Sequence, residues 1–122
     1  KPLFDTDLRY EKAWHKTAQL VARHLPYRSD LFTPYFSHLL VTKQGDKLKT
    51  LTAYFISKRS TDPLSHWFLG AYYLQDPSGF DKGICLMKQA LDHGVAKYIP
   101  LPPQQVDQIQ QAAAIIQCYK VL

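Results

Sequence analysis

Trp67-Phe68-Leu69-Gly70-Ala71-Tyr72-Tyr73, followed by Ala90-Leu91, is the stretch that decides how the chain folds. Asp62-Pro63 opens it with a start signal, a capping side chain ahead of a proline at the first helical position. From there a helix is expected to about Gln75, with Leu64, Trp67, Phe68, Ala71 and Leu74 available to a core. Asp76-Pro77-Ser78-Gly79 breaks it. A second helix should span about Phe80 to Asp92, and His93-Gly94 resembles a C-terminal cap.

The pattern continues in both directions. Upstream, Tyr10, Trp14, Ala18, Val21 and Leu25 recur at helical spacing, which predicts a helix from Asp7, its cap, to His24, closed by Pro26. Another is expected after the capping pair Ser29-Asp30, running to about Thr42, with Phe32, Tyr35, Phe36, Leu39 and Leu40 on its buried face. Pro34 falls in its first turn, where proline is tolerated. Gln44-Gly45-Asp46 is read as a tight turn. A helix over Lys47–Ser57 presents Leu48, Leu51, Tyr54 and Phe55. Downstream, the prolines of Tyr98–Pro103 disallow a helix, and a last one carries Val106, Ile109, Ala113, Ile116 and Tyr119. The expected fold class is all-α, with about six helices in one domain: a leading helix over 7–25, hairpins over 29–62 and 63–97, and a capping helix over 103–119.

Leu69, Gly70 and Tyr73, then Gly83, Met87 and Ala90, resemble the tetratricopeptide repeat. In that repeat a glycine lets the partner helix approach closely and a small residue on the second helix receives the first. The period agrees: Ser29–Asp62 is 34 residues and Pro63–Lys97 is 35, against about 34 for the repeat. Phe36 stands where Gly70 stands in the second copy, so the first pair should pack further apart.

With 122 residues and 46% apolar content, the chain can form one real core. No apolar run approaches the roughly 20 residues that span a bilayer. No secretory signal is visible, but the chain opens on Lys1, and the sequence reads as a piece of something longer. Net charge is uneven. Residues 1–62 hold 11 Lys/Arg against 6 Asp/Glu, whereas residues 63–122 hold 4 of each. Lys43, Lys47, Lys49, Lys58 and Arg59 are the candidate basic surface. The aromatics sit at core spacing and do not alternate with the basic residues, which argues against nucleic acid. Cys85 and Cys118 fall on separate helices. Whether they stay buried thiols or pair depends on how the last helix packs, and the sequence leaves both open.

Catalytic signals are sparse. The five histidines form no His-x-x-x-His pair, so no metal site or cofactor is expected. Glu11 is the sole glutamate, and neither a phosphate loop nor a Gly-x-Ser-x-Gly elbow occurs. The chain is therefore expected not to be an enzyme by itself but to bind a protein or peptide. If the first helix of each hairpin lines a concave surface, Thr33, Ser37, Leu64, Trp67, Ala71 and Leu74 are the groove candidates. Trp67 could anchor an apolar segment, but a Trp at helical spacing is more often core. The Lys, Arg and Asn of carboxylate-clamping tetratricopeptide domains are missing from these positions.

A narrower resemblance rests on His66-Trp67-Phe68-Leu69-Gly70, Met87-Lys88-Gln89-Ala90-Leu91, His93-Gly94-Val95-Ala96-Lys97-Tyr98-Ile99-Pro100, and Leu25-Pro26-Tyr27-Arg28-Ser29-Asp30-Leu31. These are similar to the soluble tails of bacterial O-antigen ligases, protein O-oligosaccharyltransferases and polysaccharide polymerases. The resemblance covers most of residues 20–103. It implies the periplasmic face of an inner membrane, catalysis in a separate membrane part, and contact of the basic half with an anionic membrane surface or lipid-linked glycan. The rival expectation is a free-standing helical-repeat adaptor, or a secreted bacterial protein, that binds a partner helix. A cytoplasmic location stays open under that alternative.

Overall fold

The computed structural model describes residues 11–118, and the expectations resting on Asp7, Tyr10 and Tyr119 lie outside them. Among the described residues there are six α-helices and no strand: α1 (Glu11–His24), α2 (Thr33–Val41), α3 (Gly45–Lys58), α4 (Pro63–Leu74), α5 (Phe80–Asp92) and α6 (Pro103–Ile116). Short 3-10 turns precede α2 and α5, and a third follows α5. From α2 onward each helix packs on its successor, and α4 also touches α2. The domain is thus all-α with sequential helix-on-helix packing. No described helix is long and apolar enough to cross a membrane.

The core is aromatic in its first half. Phe32, Phe36, Leu39, Leu48, Phe55 and Leu64 are fully buried. Phe55 meets Phe32 edge-on at 5.0 Å, and Phe36 lies 5.2 Å from Phe68 of α4. Edge and tilted contacts of this kind favour aromatic clusters beyond the area they bury. The second half closes differently. At Gly70 of α4 and Gly83 of α5 the two backbones meet directly, and α4 and α5 share a much larger contact than α2 and α3.

Three starts and stops differ from expectation. The helix expected at Ser29-Asp30 begins as a 3-10 turn and becomes α-helical only at Thr33. Neither side chain caps the helix: Ser29 Oγ donates to Asp62 Oδ1 at 2.7 Å, and the Asp30 carboxylate is held by Arg28 at 2.9 and 3.0 Å. The turn read at Gln44–Asp46 lies earlier. Lys43, at φ 59°, ends α2 with Gln44 N–H bonded to Leu39 O at 2.9 Å and Lys43 N–H to Leu40 O at 3.3 Å. That is a left-handed cap. It leaves Gly45 to start α3, where the ring of Tyr72 occupies the space a Cβ would need. The last helix stops at Ile116, with Gln117 at φ 62°. By contrast, Gly94 at φ 87° closes α5 where the sequence places its cap.

The cysteine pair, left open above, is bonded. Cys85 of α5 and Cys118, just past α6, form a disulfide with Cα atoms 5.4 Å apart. It pins the closing helix to the second hairpin.

Candidate functional site

A concavity lies between α1 and α3, over α2. It encloses about 490 Å³, inside the roughly 300–1,000 Å³ typical of ligand sites. α1 contributes His15, Ala18, Gln19, Ala22 and Arg23, α2 contributes Tyr35, and α3 contributes Asp46, Lys47, Thr50, Leu51 and Tyr54. The groove exists because Ala18 and Ala22, one helical turn apart, put only methyl groups where α1 faces α3. Two aromatic residues set its walls. Tyr54 donates its hydroxyl to Ala22 O at 3.1 Å, which holds α1 and α3 at a fixed separation. Tyr35 shares a 2.5 Å hydrogen bond with His15 Nδ1, its ring edge-on to the imidazole. Trp14, edge-on to His38 at 4.9 Å, seats α1 on α2. Apolar surface dominates, and Arg23, Asp46 and Lys47 supply the charged margin. Thr50 Oγ1 is turned to Asp46 O at 2.9 Å. The arrangement can bury an apolar body and meet an anionic flank.

The groove residues read from the sequence are not gathered there. Leu64 and Trp67 are 1% and 6% exposed and belong to the core. Ala71 and Leu74 are half-buried against the same core, Leu74 lying beside Gly83. Thr33 is partly buried with Oγ1 on Asp30 O at 3.3 Å, and Ser37 is exposed. All five basic candidates are exposed, and three of them, Lys43, Lys47 and Lys49, gather around Tyr72. Lys43 and Lys47 border a small polar depression with Asp46 and Tyr72. Lys49 Nζ lies 6.0 and 5.9 Å from the Tyr72 and Tyr73 rings, and Lys58 Nζ 5.6 Å from Tyr54. No sequence expectation singled out this concavity; the signal that could have found it is Ala22, a second small residue one turn after Ala18 of the apolar stripe.

A second polar cluster is structural. Asp62 caps α4 by accepting from Ser65 N–H at 3.1 Å while holding Ser29. His66 Nδ1 lies 2.7 Å from Asp62 O; because a carbonyl only accepts, this nitrogen carries the proton. Among the described residues no group of three or more His, Cys, Asp or Glu is placed to hold a metal. Comparison with models of protein families, with curated proteins and with solved structures finds no match for this chain.

Proposed function

We propose that this domain is a tetratricopeptide-like, non-catalytic interaction module whose α1–α3 groove receives an amphipathic segment of a partner protein. The observation that carries the reading is the groove itself. Its floor of Ala18 and Ala22 suits two apolar side chains one helical turn apart, the usual anchor pattern of a helix in a groove. Its margin carries Arg23 and Lys47 against the single acid Asp46, and the whole chain has a formal net charge of +5. The segment that fits is therefore apolar on one face and acidic beside it. The glycine contact between α4 and α5 and the 34- and 35-residue spacing support the repeat reading.

The disulfide favours an oxidising compartment. That supports the expectation that the domain is the periplasmic part of a membrane glycan ligase or polymerase. A secreted or free-standing adaptor is the alternative. The upstream reading frame separates the two, since the first requires multiple membrane spans there.

Photo-crosslinking amino acids placed at Gln19 and at Thr50, with exposed Gln108 of α6 as control, test the groove in the cells that make the protein. A discrete protein adduct from both groove positions, absent from the control and lost on Ala22→Trp, is expected. Adducts from the control alone, or none from either groove position, would refute the assignment.

A further inference from the structure

The solvent side of α1 carries a pattern of its own. Past its first residue, Glu11, the stretch to residue 27 contains Lys12, Lys16 and Arg23 and no further Asp or Glu. At about 100° per helical residue these three cations fall within an arc of about 40°, roughly opposite the buried Trp14 and Ala18. All three are exposed. Leu20 stands about 40° further round and is 59% exposed, and just past the helix Tyr27 is 62% exposed. The nearest downstream acid, Asp30, is already engaged by Arg28.

Charge alone would serve a solvated face; here an exposed leucine stands beside the cations and an exposed tyrosine follows the helix. The combination of cations, a large aliphatic side chain and an exposed tyrosine is the one that interfacial helices present to lipid. We propose that this face of α1 lies on an anionic bilayer, with Lys12, Lys16 and Arg23 at the headgroups and Leu20 and Tyr27 sunk into the interface. This goes beyond the groove reading and does not require it. Lys12, Lys16 and Leu20 line no part of the groove.

Flotation with phosphatidylcholine vesicles, with and without phosphatidylglycerol, tests it. The domain should bind the anionic vesicles at least about tenfold better than the neutral ones, given the attraction that each basic residue near such a surface contributes. Lys12→Glu/Lys16→Glu/Arg23→Glu should abolish binding, and Lys12→Glu/Lys16→Glu should keep most of that loss with the groove intact. The charge-matched control Lys49→Glu/Lys82→Glu/Lys97→Glu should bind within about threefold of the parent. Circular dichroism melts check that each variant folds. Leu20→Trp should add fluorescence that shifts to the blue only with anionic vesicles. Failure to float, equal loss in the control, or an unshifted Leu20→Trp variant that binds soluble heparin instead would overturn the proposal.

Discussion

Gly70 and Gly83 face each other across the α4–α5 contact, each in the space where the other's Cβ would be. A Cβ on Gly70 would stand 2.7 Å from the carbonyl oxygen of Gly83, and one on Gly83 would stand 2.8 Å from that of Gly70. Backbone cannot swing aside as a side chain can, so the two helices touch at their closest limit. Met87 and Leu74 flank the contact and seal it. The α2–α3 pair has Phe36 at the matching position and spends it on an aromatic cluster with Phe32, Phe55 and Phe68.

Gly70→Ala should therefore destabilise the domain. Alanine gains about 1 kcal/mol of helix propensity, but overpacking costs about 1–3 kcal/mol, and the net expected loss is up to about 2 kcal/mol in chemical denaturation. Gly45→Ala should cost less. The atoms its Cβ meets belong to the ring of Tyr72, a side chain that can rotate. Equal losses at both sites would refute the backbone-contact argument.

Reducing the Cys85–Cys118 bond, or replacing both residues by serine, should lower stability by about 3–4 kcal/mol. That is the loop entropy released when residues 33 apart are no longer joined. Hydrogen exchange should show the amides of α6 losing protection before those of α4, because the bond anchors α6 to the rest.

Asp62→Ala removes the α4 cap and leaves the buried Ser29 hydroxyl without its acceptor. Cap loss costs about 1 kcal/mol and the stranded hydroxyl about 1–3 more, so a fall of roughly 2–4 kcal/mol is expected. Ser29→Ala should cost clearly less, since Asp62 keeps the Ser65 N–H. Urea denaturation of the two variants side by side decides this.

Asp30 gives a pH signature. Its hydrogen bond from Arg28 holds its pKa below the ordinary 3.8, outweighing the opposing effect of burial. A lowered folded-state value means the carboxylate adds stability above the unfolded value and loses it as pH falls through the folded one. Acid melts of the parent should thus fall more steeply below about pH 4 than those of Asp30→Asn, and Arg28→Gln should flatten the curve in the same way. The pair is largely exposed, so the difference should be small.

Local chemistry made much of this protein legible before any coordinates. Pro63 behind Asp62 gave the start of α4, Gly94 the end of α5, and the spacing of Phe32, Phe36, Leu48 and Phe55 the buried faces. The glycine pair was readable for the same reason, because a small residue in an apolar helix marks close approach. Ser29 was misread as a cap for its own helix: nothing nearby in sequence reveals that an acceptor 33 residues away offers it a better bond. Trp67 was equally ambiguous, since helical spacing shows that a face is buried but not by what. The sequence by itself determined the helical class, most helix positions and the close α4–α5 contact, since these follow from propensity, capping and periodicity within a few turns. Only the tertiary structure decided the Cys85–Cys118 pairing, the α1–α3 groove and the exposure of the basic arc on α1. Each depends on where residues distant in the chain come to lie, and no local rule carries that distance.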